Sequence, residues 1–275
     1  MPNHEARESS GADQFVGTKT FVQILGGGLS LYGRNFKQLA PPYVALVVGI
    51  ELALLGLSTL ISDTPSDPSA SYVFLTFLLR SLFFHLPAAL ISGLCVIVLV
   101  DHIRGVRTAL SAARRRIRPQ ASQLLAAGLY ASIASLLGIV FPFVFPSLLL
   151  TLMGPPVVVQ VIAHEQKTLQ EALPRARSLW RRQLLRIFLY LFSIGLGVTL
   201  LWIILVQVVQ GALAAANITF SGPGEVLFGL GFLVLLGLSY PLMITMSTLA
   251  YIDLRARTEE DFGLESLERE SRPAQ

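Results

Sequence analysis

The chain has 275 residues, of which 53% are hydrophobic and only 14% are charged, and its mean hydropathy is +0.64. Soluble domains carry about 25% charged residues, so this composition excludes an ordinary soluble enzyme and indicates a chain largely embedded in lipid. The net charge of +4 does not indicate a nucleic-acid partner, because the basic residues border long apolar segments, where they are attracted to anionic lipid.

Six apolar segments predict an all-α fold, a bundle of six transmembrane helices occupying residues 18–256. About 20 apolar residues cross the hydrocarbon core of a bilayer, and each segment is near or above that length. Residues 1–17 are predicted as a disordered tail and residues 257–275 as an acidic tail, since both are too short and polar to fold alone. The predicted spans are 41–61, 71–101, 119–142, 146–163, 186–216 and 224–252.

Apolar residues recur at helical spacing within residues 19–38, which predicts an interfacial helix on the membrane surface. Gly26-Gly27-Gly28 weakens that helix, and Pro41-Pro42 is predicted to begin the first span, where proline is well tolerated. The second span is longer than a bilayer requires, so we expect tilt or a kink near Pro87.

The third span is rich in small residues. Ala127, Ala131 and Ser135 lie four positions apart, which predicts a face where helix backbones approach closely. Gly154-Pro155-Pro156 interrupts the fourth span. Such breaks build substrate sites in transporters, but matching breaks in the other spans are lacking, and Gln160 after the break is more typical of a hydrogen bond between helices.

The distribution of basic residues predicts the orientation. When the six spans are threaded back and forth, 20 of the 21 Lys and Arg residues fall on one side, and only Arg80 does not. Short loops rich in Lys and Arg stay cytoplasmic, so both termini are predicted to face the cytoplasm.

Glu51 is predicted to lie near the centre of the first span, and a carboxylate there costs about 2.5–3.5 kcal/mol on insertion scales. It should therefore face the bundle interior. We expect an intramembrane ion pair with Arg80. The alternatives are a protonated Glu51 bonded to a neighbour, or a proton or cation site of a transporter.

The basic loops are the strongest candidate for a functional surface. Residues 167–186 place Leu169, Leu173 and Trp180 on one helical stripe among arginines, as in a helix lying in lipid headgroups, although Pro174 is expected to limit its continuity. The alternative is that the loop only anchors the cytoplasmic face. The candidate contacts to anionic lipid are Arg114, Arg115, Arg116, Arg118, Arg175, Arg177, Arg181 and Arg182.

The sequence also predicts an internal repeat. A basic segment precedes each odd-numbered span, and Asp101-His102, His164-Glu165 and Asp253 end the even-numbered ones, which favours one unit used three times. The alternative is that cytoplasmic loops are simply basic.

His164-Glu165 lacks a second histidine, because position 168 is Thr168, so the zinc-protease motif fails. We predict no metal, no cofactor and no catalytic residues.

Three stretches carry a family resemblance: residues 24–39 (ILGGGLSLYGRNFKQL), 161–188 (VIAHEQKTLQEALPRARSLWRRQLLRIF) and 248–262 (TLAYIDLRARTEEDF). They resemble a bacterial six-span family that includes the membrane domain attached to some glycerophosphoryl diester phosphodiesterases and the YciC-like proteins. The likeness extends in layout over nearly the whole chain, and it implies a place in the bacterial cytoplasmic membrane. Pro174 departs from the family, which usually continues a helix there.

We expect no phosphodiesterase domain after residue 275, and on that expectation the resemblance implies a membrane module and not a hydrolase. We expect a multi-pass module without catalytic activity that binds lipid or a partner protein, the latter a membrane protein or an enzyme. The alternative function is a small transporter or permease-like subunit with a polar site near Glu51.

Overall fold

The computed structural model describes residues 15–60, 70–140, 154–181, 223–259, 261–263 and 265–267, together with isolated positions between 183 and 211. These residues are helical or lie in short turns, and none of them forms a strand. In chain order the helices are α1 (Phe21–Leu60), α2 (Ala70–Ile103), α3 (Leu110–Ile117), α4 (Ala121–Val140), α5 (Gly154–Glu165), α6 (Leu169–Arg181) and α7 (Pro223–Thr258), with a 3-10 turn (Arg118–Gln120) between α3 and α4.

Three of the described helices contain stretches long and apolar enough to cross a membrane: Phe21–Leu54, Leu78–Ile103 and Leu233–Thr258. They correspond to the first, second and sixth predicted spans. The predicted third span forms α4, and the end of the predicted fourth forms α5. The predicted turn between the third and fourth spans lies outside the described residues, and so does most of the fifth span. Those residues of 196–211 that are described are helical.

One continuous helix replaces the predicted interfacial helix and first span. α1 runs through Pro41-Pro42 without ending, so the prediction that these prolines begin a new helix was wrong. A proline inside a helix removes one hydrogen bond to the carbonyl four residues earlier. Here those carbonyls belong to Lys37 and Gln38, which are both exposed, so water or lipid headgroups can satisfy them.

Helix α6 likewise continues through Pro174, contrary to the expectation that this residue limits it. Pro174 and Gln170, whose carbonyl loses its partner, are both exposed, so solvent can replace the lost bond. The start of α6 is also well defined, because the Glu171 carboxylate accepts the Thr168 backbone N–H at 3.1 Å, half of a capping box.

Glycines bring the long helices together. A Cβ on Gly237 of α7 would lie 2.7 Å from Val44 Cα of α1, and one on Gly128 of α4 would lie 2.6 Å from the His85 carbonyl oxygen of α2. This contact is made by Gly128 and not by the predicted positions Ala127, Ala131 and Ser135, of which Ala127 is buried beside it. Ser132 Oγ, one turn further along, donates to the Ser81 carbonyl at 3.3 Å.

The helix directions give the bundle two chemically different ends. Lys19, just before α1, contacts Asp253 near the end of α7, and Glu165 at the end of α5 contacts Tyr251 of α7. Asp101, near the end of α2, lines a small cavity with His164 of α5. Helices α2, α5 and α7 therefore finish at the end where α1 begins, and we call this the charged end.

Candidate functional site

Three buried carboxylates organise the charged end. The side chains of Asp101, Glu165 and Asp253 are 2%, 5% and 0% exposed, and each lies in the last turns of a helix that finishes there. A buried carboxylate is costly unless it is paired and hydrogen-bonded. Each of the three contacts basic or backbone groups of another segment, so each fastens a connecting segment to the bundle.

Asp101 holds α3. Its Oδ2 accepts from Arg116 Nη1 and from Thr108 Oγ1, both at 2.6 Å, and its Oδ1 accepts from Arg104 Nη1 at 3.1 Å. Helix α3 buries Ala113 and Ile117, one turn apart, and carries arginines on its other faces. A left-handed φ of 78° at Gly105, which glycine adopts without strain, turns the chain back after α2. The carboxylate and this turn together fix α3 at the charged end.

Glu165 holds α6 against α7. It accepts from Arg175 Nε at 3.0 Å and from the Tyr251 hydroxyl at 2.8 Å. Arg175 also contacts Glu259, and Arg255 Nη2 donates to Glu259 at 2.7 Å, so charges alternate through the cluster. Burial lowers the pKa of Arg175, but Glu165 and Glu259 outweigh that effect and raise it above the ordinary arginine value. Arg175 is therefore a permanent cation in this network.

Asp253 holds the start of α1. It accepts the backbone N–H of Lys19 and receives Arg257 Nε at 3.0 Å, while Arg257 Nη2 donates to the Lys19 carbonyl at 3.0 Å. Burial lowers the pKa of the Lys19 ammonium, and Asp253 offsets part of that change. The final helix is thereby joined to the first segment of the chain.

The three carboxylates coincide with the acidic positions of the predicted repeat, but the sequence reasoning did not assign them as anchors. The available signal was their recurrence at the end of each even-numbered span. Part of the predicted acidic tail belongs to the same end of the molecule. Arg255 lies over the Phe262 ring at 4.5 Å, and Leu267 is fully buried in the core.

Of the eight arginines predicted to contact lipid, seven are described, and these are either bound to carboxylates or exposed. Arg116 and Arg175, predicted as lipid contacts, are instead engaged with Asp101 and with Glu165 and Glu259. Arg182 lies outside the described residues. Within the described chain the remaining five are exposed and form no ion pair, and we call them the basic surface: Arg114, Arg115, Arg118, Arg177 and Arg181. Arg34, Lys37 and Arg107 are also exposed near this end, although none was predicted as a lipid contact.

Glu51 and Arg80 meet at the other end of the bundle. The Arg80 guanidinium donates directly to the Glu51 carboxylate, the contact expected from the sequence. Arg80 precedes Asp101 by 21 positions on the same helix, which is about 32 Å at 1.5 Å per residue. This separation is close to the thickness of a hydrocarbon core, about 30 Å.

A cavity adjoins this ion pair, and we call it the Glu51 cavity. Its volume is about 190 Å³, and Glu51, Arg80, Ser81 and His85 are its polar lining. The rest of the lining is apolar or aromatic: Val47, Ile50, Phe84 and Tyr240. The sequence predicted the ion pair but not the cavity, because Tyr240 reaches it from α7, far away in the chain.

Gln160 is completely buried and joins two helices. Its Nε2 donates to Ser247 Oγ of α7 at 3.0 Å, and its Oε1 has no hydrogen-bond partner among the described residues. A cross-helix bond of this kind is the role expected for Gln160. In the part of the chain that is described, His, Cys, Asp and Glu form no group of three or more that could hold a metal ion.

No family model matches this chain, and neither does any curated protein or solved structure.

Proposed function

We propose that this protein is a multi-pass membrane module without catalytic activity, which uses its charged end to bind anionic phospholipid headgroups or an acidic partner protein. One observation carries the proposal: the basic surface remains exposed and unpaired within the described chain, while the neighbouring Arg116 and Arg175 are bound to buried carboxylates. The bound arginines fix the position of the exposed ones.

The placement of the basic surface favours lipid. Helices α3 and α6 pack at the ends of long apolar helices, which is headgroup depth if those helices cross the bilayer. An arginine at an anionic membrane surface contributes about 1 kcal/mol. Since Asp101 and Glu165 already hold α3 and α6, little ordering of the backbone opposes binding, and preorganisation of this kind strengthens an interaction.

The proposal includes a topology. We infer six spans with both termini in the cytoplasm of a bacterium, and a charged end that faces the cytoplasmic leaflet. Three apolar helices of spanning length and the gathering of basic segments at one end support this arrangement, together with the positive-inside rule. The resemblance to the six-span family of membrane modules points in the same direction.

Replacing the five arginines of the basic surface with glutamine is expected to reduce co-purified anionic phospholipid at least about tenfold, because each removed charge weakens attraction by about 1 kcal/mol. Native mass spectrometry of the gently extracted protein measures the bound lipid. The effect should shrink at high salt, where exposed charges are screened.

The matched control is Arg116→Gln, which also removes one arginine of α3. It should lower thermal stability, since Asp101 loses a partner, while leaving most of the anionic lipid bound. Equal lipid retention by the wild type and the five-residue variant would contradict lipid binding by this surface. A protein that co-purifies in stoichiometric amount with the wild type and is lost from the five-residue variant would assign the surface to a partner instead.

The Glu51 cavity favours a second candidate function, a small transporter or permease-like subunit. A transporter needs a polar cavity within the bundle, and this one is bordered by Glu51 and Arg80. Solute flux by purified protein in liposomes, abolished by Arg80→Gln, would support transport and overturn the module. Liposomes that contain the protein but show no solute flux would support the module.

A further inference from the structure

The Glu51 cavity presents one negative and one positive group side by side. The side chains of Arg80 and Glu51 are 54% and 25% exposed, and they form an ion pair with each other. Elsewhere in the described chain, the ion pairs lie at the charged end. The cavity is therefore a separate site, with chemistry different from that of the all-cationic basic surface.

The balance of charge decides which ligands can enter. A simple anion gains Arg80 but meets the Glu51 carboxylate, and a simple cation gains Glu51 but meets Arg80. Either ligand separates the pair and leaves one protein charge without a partner, which is costly away from bulk water. A zwitterion replaces both partners at once, so Arg80 and Glu51 each exchange one opposite charge for another.

The walls suit a ligand that also carries apolar atoms. The Tyr240 ring stacks on Tyr43 with centroids 6.1 Å apart and packs against Phe84 at 4.7 Å, so the aromatic side of the cavity is held by neighbouring rings. A volume of about 190 Å³ is larger than one water molecule needs. It is smaller than a pocket for a drug-sized ligand, and it therefore fits a group of headgroup size.

The position of the cavity supplies such a group. It lies about 32 Å from Asp101 along α2, which is the headgroup level of the leaflet opposite the charged end. We propose that the Glu51 cavity binds a zwitterion that carries an ammonium and a phosphate, with the ammonium at Glu51 and the phosphate at Arg80. A zwitterionic phospholipid supplies this chemistry from the membrane, and a soluble phosphodiester of an amino alcohol supplies it from solution.

The test measures the thermal unfolding midpoint of the full chain in detergent, with the five arginines of the basic surface replaced by glutamine so that anionic lipid does not bind there. Three compounds are added: dioctanoyl phosphatidylethanolamine, dioctanoyl phosphatidylglycerol and the soluble phosphodiester glycerophosphoethanolamine. At ten times its dissociation constant, a ligand of the folded state should raise the midpoint by about 3 °C. We expect that shift with phosphatidylethanolamine and a clearly smaller one with phosphatidylglycerol. A shift of equal size with glycerophosphoethanolamine would identify a soluble zwitterion as sufficient, and its absence would identify the lipid.

Two variants test the assignment of charges. Arg80→Gln should remove the response to phosphatidylethanolamine. Glu51→Gln frees Arg80, so it should reverse the preference and make phosphatidylglycerol the more stabilising lipid. Both are made in the chain that lacks the basic surface, and their midpoints without lipid show whether each variant folds. Arg107→Gln, another exposed arginine near the charged end, serves in the same chain as a control that should keep the preference for phosphatidylethanolamine.

Equal shifts with both lipids in the chain that lacks the basic surface, or a Glu51→Gln variant of it with unchanged preference, would overturn the proposal. Neither result bears on the basic surface, which the arginine variants test independently. Loss of anionic lipid from the charged end would, in the same way, leave the zwitterion preference of the Glu51 cavity intact.

Discussion

Replacing Glu165 with Gln is expected to lower the free energy of unfolding by about 3 kcal/mol, because breaking a buried ion pair leaves an uncompensated charge behind. Glu165 is the shared acceptor of Arg175 and Tyr251 and lies 4.0 Å from Arg255, which is itself 3% exposed. Glutamine keeps the shape of the side chain and can still accept from Tyr251. The substitution leaves Arg175 and Arg255 to share the single carboxylate of Glu259.

The comparison for this variant is Glu171→Gln, the same substitution on the exposed first turn of α6. Glutamine also serves at this capping position, so its cost should stay below about 0.5 kcal/mol. The measurement is reversible unfolding in mixed detergent micelles, followed by circular dichroism. If the two variants lose the same stability, the network around Glu165 does not hold α6 in place.

Replacing Gly128 with Ala is expected to cost about 2 kcal/mol or more through overpacking. The new Cβ would lie 2.6 Å from the His85 carbonyl oxygen and 2.9 Å from Leu86 Cα. Both neighbours are backbone atoms of α2, so no side-chain rotation can relieve the contact. Helices α2 and α4 must separate, and the hydrogen bond between Ser132 and Ser81 should be lost with the contact.

Gly49→Ala is the matched control for this substitution. Gly49 lies within α1, is exposed, and would place its Cβ more than 4 Å from any neighbouring atom. Alanine should therefore be neutral or stabilise the helix by up to about 1 kcal/mol. The measurement is the unfolding midpoint of both variants. A Gly128→Ala protein as stable as Gly49→Ala would show that α2 and α4 do not pack this closely.

The two proposed sites lie at opposite ends of the molecule. The basic surface offers five cations where three buried carboxylates hold the connecting segments, and the Glu51 cavity offers a balanced pair about one bilayer thickness away. A module with these two ends would contact anionic headgroups in one leaflet and zwitterionic headgroups in the other. That difference would give the protein a preferred orientation in an asymmetric membrane.

The sequence by itself determined the helical class, the long apolar helices and the presence of basic segments between them, because composition and helical periodicity are local properties. It also indicated the partner of Glu51, since Arg80 was the one basic residue outside the predicted cytoplasmic segments. The same local reasoning placed helix boundaries at Pro41-Pro42 and expected a weak helix at Pro174. It failed there because solvent exposure of the preceding carbonyls depends on packing.

Only the tertiary structure decided which arginines are bound and which are exposed. Arg175 and Arg177 are equivalent in the sequence pattern, but residues two apart point to different sides of a helix, and only Arg175 faces Glu165 and Glu259. The second of these partners is 84 positions away, and Asp253 meets Lys19 across 234 positions. Contacts between such distant residues follow from how the helices pack, which no local pattern encodes.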